Sequence, residues 1–241
     1  MTAAATLEAL LARAIAHVNA GRTELARAAC AEASAQWPPH PAVRQLQAVL
    51  AMQAGDAHQA REHAEASLAL RPDHPPTLLV AGDAARAAGD LAQALARHRR
   101  AAALQPDRPD IVLALGISEH RSGHWQAAAD ALQRAVALAP AHHEAWFQLA
   151  LARQDLREFD GAAAALREVL RLAPQRVDAE VNLGIVLQEA GRLDDAMRAY
   201  GRAYRARAET FGRIAHALST AAHGRLWLDL ASLRSALQQA A

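Results

Sequence analysis

The sequence predicts an all-α array of stacked helix pairs, and three recurrences predict it. Pro38, Pro72, Pro106, Pro140 and Pro174 stand 34 residues apart without a slip. Ala26, Ala60, Ala94, Ala128, Ala162 and Ala196 keep the same step. So do Gly21, Gly55, Gly89, Gly123 and Gly191, with Arg157 in the one place where the glycine is missing. A fixed period of this length, punctuated by Gly and Pro between helical patterns, marks a repeat array rather than a single globular core.

The prolines set six units: Leu7 to His40, Pro41 to His74, Pro75 to Arg108, Pro109 to His142, His143 to Arg176 and Val177 to Thr210. Each holds two helical patterns. The first unit is the most degenerate, with Arg13 and His17 at places where large apolar residues are usual and Cys30 at the large-apolar place of its second helix. In the second and third units Ala48 and Gly82 put a small residue on the first helix, as Ala60 and Ala94 do on the second. Gly116 and Gly184 serve later units in the same way, with Ala14 and Ala150. Such small residues let the two helices of a pair approach closely, which compensates the roughly 1 kcal/mol that Gly costs inside a helix.

The fourth unit shows the pattern most plainly. Its first helix carries Ile111, Val112, Leu115 and Ile117 and ends at Ser122-Gly123, where glycine can turn the chain in the left-handed conformation. Its second helix runs from about Trp125 through Ala128, Ala131, Leu132, Ala135, Val136 and Leu138, one apolar stripe at three-and-four spacing. Pro140 stops it. In the fifth unit, Arg157 predicts a wider turn or a non-glycine cap. In the sixth, Ala208 replaces the expected proline, so the helix that starts near Asp194 is expected to run toward Glu209 or beyond.

After Thr210 two amphipathic stretches, separated at His223-Gly224, carry Phe211, Ile214 and Leu218 and then Leu226, Trp227, Leu230, Leu233 and Leu237. A stack of hairpins leaves its last apolar face bare, so this hairpin caps the sixth unit. The richness of the final helix in leucine, with Trp227, offers the alternative of insertion into another copy as a homodimer. The expected organisation is thus a repeat array over residues 1–210 and capping or partner-binding helices over residues 211–241.

Composition excludes several functions. The 26 basic residues, all Arg, balance 25 acidic ones, so no bulk charge draws the chain to nucleic acid. Cys30 is alone and cannot form an intrachain disulfide. The amino terminus lacks a basic leader, and no run approaches the roughly 20 apolar residues of a membrane helix. A cytoplasmic protein without membrane insertion is expected.

No catalytic set emerges. His120 and His124 are split by the turn at Gly123, His58 and His63 lie about 140° apart on a helix, and His216 with His223 has no third ligand. Neither a metal nor a cofactor is expected. Cys30 reads as a small buried hydrophobe. The run Arg97, His98, Arg99 and Arg100 lacks interleaved aromatics and reads as a solvated face.

Trp146, Leu149, Ala150, Ala162, Leu166, Val169 and Pro174 in the fifth unit, and Leu183, Gly184, Gly191, Ala196, Tyr200 and Ala203 in the sixth, carry a family pattern. On these residues the chain resembles tetratricopeptide repeat proteins over residues 7–210. The resemblance implies a right-handed superhelical solenoid whose first helices line a concave groove for a protein or peptide partner. In that groove the expected lining is Leu79, Asp83, Leu113, Ile117, Phe147, Leu151, Val181 and Ile185, preceded by Leu11, Ile15, Gln45 and Val49. Arg86, Arg121 and Gln154 edge it, and Arg121 and Asn182 would orient a ligand. The family's clamp for carboxy-terminal peptides uses Lys and Asn at such places, and an asparagine ladder would need an Asn in each unit; only Asn182 fits. An apolar lining suits an amphipathic helix or extended apolar peptide. The function expected is a non-enzymatic interaction scaffold or adaptor, with an accessory subunit of an enzyme complex and a self-assembling protein as alternatives.

Overall fold

Local signals set the helix ends. The Thr6 hydroxyl accepts the Ala9 N–H, and the Asp56 and Asp90 carboxylates accept those of Gln59 and Gln93, each satisfying a donor that the first turn leaves free. Pro41, Pro75 and Pro109 occupy first helical positions, where the missing N–H costs nothing. Inside each pair the chain turns through a residue at positive φ, for example 83° at Gly89 and 77° at Gly191. Arg157 adopts φ 62° and makes the same turn: the Glu158 N–H reaches the Arg153 carbonyl at 2.8 Å, as the Arg192 N–H reaches Leu187 at 2.8 Å. The turn is therefore no wider. The chain holds a bulky residue in a conformation that glycine adopts freely.

The computed structural model describes residues 6–220 and 230–240. The first six pairs are α1 (Leu7–Asn19) and α2 (Thr23–Gln36), α3 (Pro41–Gln53) and α4 (Ala57–Leu70), α5 (Pro75–Ala87) and α6 (Leu91–Leu104), α7 (Pro109–Arg121) and α8 (Trp125–Leu138), α9 (His143–Asp155) and α10 (Phe159–Leu172), and α11 (Val177–Glu189) and α12 (Leu193–Ala206). A 3-10 turn (Ala208–Thr210), α13 (Phe211–Thr220) and α14 (Leu230–Gln239) follow. Every described element is helical. The helix from Leu193 does not run on to Glu209. It ends at Ala206 because Arg207 turns extended (φ −154°, ψ 102°), and Thr210 then closes the short turn by donating its hydroxyl to the Arg207 carbonyl at 2.8 Å.

The chain forms two compact units, Met1–Ser122 and Gly123–Ala241. In the first, one core gathers Leu10, Ala14, Ala26, Cys30 and Leu50, and the next gathers Ala48, Ala64, Leu78, Ala81, Ala101 and Ile111. Arg97 forks onto Glu65 and Arg100 onto Asp73, tying successive pairs across their surface. In the second unit Arg176–Glu144 does the same, while Arg202–Glu180 joins the two helices of one pair. These partly exposed pairs fix register more than they add stability, because solvent screens them.

In the second unit α14 lies along α12 and buries Leu233 and Leu237 completely within the chain. Gly201 is what admits it: a Cβ there would lie 2.8 Å from the Leu237 carbonyl oxygen and 2.9 Å from that of Ala240. Arg205 donates to both carbonyls and to that of Gln238, answering the unpaired acceptors at the helix end. Arg234 stacks on the Phe211 ring at 4.4 Å. Leu233 and Leu237 therefore face inward, whereas Leu230 is exposed. Leu226 and Trp227, expected to cap or dimerise, lie outside the described residues.

Candidate protein-binding site

Within a pair, close contact is made by one large residue set against one small residue. Tyr200 of α12 lies over Gly184 of α11, where a Cβ would come within 2.3 Å of the ring, and its hydroxyl donates to Gln188 Oε1 at 2.8 Å. Burial pushes the Tyr200 phenol well above the ordinary tyrosine range. His98 of α6 holds the equivalent place over Gly82 of α5, with its Nε2 2.4 Å from where a Cβ would be.

His98 is thus not part of a solvated face. It is fully buried, with Nδ1 2.7 Å from Ser118 Oγ on α7 and Nε2 3.3 Å from the Leu79 carbonyl. That carbonyl only accepts, so the proton sits on Nε2 and the Ser118 hydroxyl donates to Nδ1. Burial holds the imidazole below the ordinary histidine range, opposed by Asp83 at 3.6 Å and helped by Arg86. The neighbours in the run are the solvated ones, and they are paired: Arg97 with Glu65, Arg99 with Glu119 and Arg100 with Asp73. The sequence signal for His98 is its register with Tyr200, Leu166 and Leu132, together with a glycine sixteen residues earlier, as for Tyr200.

The expected groove positions divide by burial. In the first unit Leu79, Leu113 and Ile117 are half-buried and Ile15 is 47% exposed, so apolar surface from α1, α5 and α7 reaches solvent. Asp83 and Arg86 are engaged with each other at 2.5 Å, and Arg121 is exposed. In the second unit Leu151 and Ile185 remain half-buried. Val181 is wholly buried and cannot line a groove, because its place on α11 packs against the neighbouring helices. Phe147 is only 9% exposed, and the Arg176 guanidinium covers its ring at 4.0 Å. Asn182 accepts a hydrogen bond from Arg213 of α13, and Gln154 donates to Glu189 at 3.0 Å, so neither side chain is uncommitted.

Cys30 is buried and its thiol is pushed up by desolvation, which disfavours a reactive thiolate. Among the described residues no three metal-ligating side chains converge, and no helix is long and apolar enough to cross a membrane.

A chain built of helix pairs in register, closed in the third and sixth by a large residue over a glycine, belongs to the class of helical repeat proteins. Tetratricopeptide repeat profiles match residues 11–75 and 147–210, and a second such profile matches residues 109–152. The chain belongs to the tetratricopeptide repeat family. No curated protein sequence matches it. Among solved structures it is similar to MamA (23% identity, TM-score 0.64), covering 70% of this chain and 93% of that one. It is also similar to YrrB, described as a tetratricopeptide repeat protein with an unusual peptide-binding site (20% identity, TM-score 0.65, covering 73% and 90%). A third similarity is to the Cut9–Hcn1 hetero-tetramer of the APC/C (18% identity, TM-score 0.75), covering 88% of this chain and 43% of that one. These likenesses show the all-α superhelical repeat fold. The repeat is an interaction module and typically not an enzyme, so the chain has the build of a protein-interaction scaffold.

Proposed function

We propose that this protein is a non-enzymatic adaptor that holds an apolar peptide or one face of an amphipathic helix against its first helices. The observation that carries this reading is the recurrence of half-buried apolar side chains at two places four residues apart on those helices: Leu79 and Leu113 at the first, Ile117, Leu151 and Ile185 at the second. Side chains four apart on a helix share a face, so Leu113 and Ile117 give α7 a short apolar ridge, to which Leu79, Leu151 and Ile185 add one residue from each of the other first helices. Exposed Arg121 and the Asp83–Arg86 pair supply the polar edge that sets orientation. The peptide-binding site named for YrrB agrees with this reading. The partner is a protein rather than nucleic acid, in keeping with the balanced charge, and the setting is the cytoplasm.

Ile117→Asp and Leu151→Asp, made separately, test it, with circular dichroism recorded on each. Each is expected to weaken capture of the cellular partner at least tenfold with the helical signal unchanged, as expected for loss of apolar contacts at a hot spot. Full capture by both variants refutes the reading.

A further inference from the structure

The first unit contains a cleft of about 510 Å3 between α2, α3 and α4, within the size range of small-ligand sites. Its lining on α3 is Gln47, Leu50, Ala51 and Ala54. These lie about 180° around that helix from Gln45 and Val49, so the cleft is separate from the first-helix ridge.

Arg27, Gln47 and His63 line it, and the residues at the same register further on can be compared with them directly. One period on, Arg61 and Arg97, the latter paired with Glu65, flank buried Ala81. In the second unit the matching triplets are Ala129, Leu149 and Ala165, and then Ala163, Leu183 and Ala199, and all six are buried. Where those seams close on Ala, Leu and Ala, this one carries two cationic or imidazole groups and an amide. Such groups cannot be buried without partners, so the helices stand apart and the seam stays open to water.

The open seam has an apolar floor, Cys30 and Leu50, beneath a donor-rich rim. Arg44 Nη1 lies 3.5 Å from His63 Nδ1 and 3.4 Å from Gln47 Oε1. An arginine only donates, so His63 accepts at Nδ1 and carries its proton on Nε2. Asp56, the acidic member of the lining, already accepts the Gln59 N–H as a helix cap. Arg27 touches Glu24 at 3.3 Å in an exposed pair that solvent keeps weak, so its guanidinium is open to a better-placed acceptor above the apolar base.

We propose that this cleft is a second binding site, for an apolar group bearing a carboxylate: the floor takes the apolar body, and Arg27 with the imidazole N–H of His63 takes the carboxylate. The same chemistry is offered by a free monocarboxylic acid and by the carboxy terminus of a peptide. Charge-assisted bonds from the guanidinium give the carboxylate its preference over neutral groups.

Calorimetric titration of the full chain with octanoate, with octanol, and with a peptide ending in Leu-Leu as its free acid and as its amide tests the site. At least one of the two acids is expected to bind, at least tenfold more tightly than its neutral counterpart; which acid binds identifies the source. Arg27→Ala, at an exposed position, is expected to weaken that binding at least tenfold. The triple variant Arg27→Ala, Gln47→Leu, His63→Ala rebuilds the closed seam of the second unit and is expected to abolish binding while raising the melting temperature. Failure of both acids to bind, equal binding of the neutral compounds, or unchanged binding in Arg27→Ala overturns the proposal. Neither result bears on the first-helix ridge, which lies on the opposite face of α3.

Discussion

Replacing Gly184 by Ala sets two effects of opposite sign against each other, and the structure decides between them. Alanine in a helix interior is favoured over glycine by about 1 kcal/mol. The added Cβ would stand 2.3 Å from Cε1 of Tyr200 and 2.4 Å from Cδ1. Tyr200 is fully buried, and swinging its ring away breaks the 2.8 Å bond from its hydroxyl to Gln188, which is also buried. Overpacking of a core costs roughly 1–3 kcal/mol, and loss of that hydrogen bond adds about 1 kcal/mol. The net expectation is a loss of about 1–3 kcal/mol despite the better helix former. Gly212, in the first turn of α13, is the control: nothing lies within 4 Å of its would-be Cβ, so Gly212→Ala should gain a few tenths of a kcal/mol. Urea unfolding followed by circular dichroism reads both. A Gly184→Ala protein as stable as the parent would refute the claim that these small residues exist to admit a large one from the partner helix.

The same logic extends to three other positions. His98→Tyr copies the Tyr200 arrangement and brings a hydroxyl to the place of Arg86, whose Nε is buried without a partner. Burial keeps folded His98 neutral below the unfolded histidine value near 6.5, so its contribution is complete above about pH 6.5 and lost as the pH falls through the lowered folded value. The variant should show a shallower loss of stability as the pH falls below about 6.5, with residual slope from His63 and His74, which are lowered likewise; an unchanged slope contradicts the assignment. Arg157→Val places a β-branched residue at φ 62° and should cost about 1–2 kcal/mol in the same unfolding assay, whereas Arg157→Gly should be neutral to slightly stabilising. Gly201→Ala should lift α14 from α12, seen as faster hydrogen exchange at Leu233 and Leu237 with the amides of α9 to α11 unaffected.

The helix pairs were legible because proline, glycine and alanine each act locally: one stops a helix, one turns the chain, one permits close approach. Arg157 was legible as an exception but not its outcome, since the neighbouring hydrogen bonds impose the turn on whatever residue stands there. The end of α12 at Ala206 had no proline to announce it and depends on the extended Arg207. Within the site, position along the first helix separated outward from inward faces only coarsely. Val181 and Leu113 share one register, yet only Val181 is fully covered, because burial depends on what the neighbouring helices carry. His98 was hidden by its company of arginines. Its fate follows from Gly82, sixteen residues away and across the pair.

Site-specific photo-crosslinking in the native cell tests the account most directly. A photoreactive residue at Ile117 or Leu151, half-buried on first helices, should join the protein to one partner segment, and the same residue at exposed Ala127 on α8 should not. Equal capture from Ala127, or none from the first-helix positions, would contradict an adaptor that works through the ridge of its first helices.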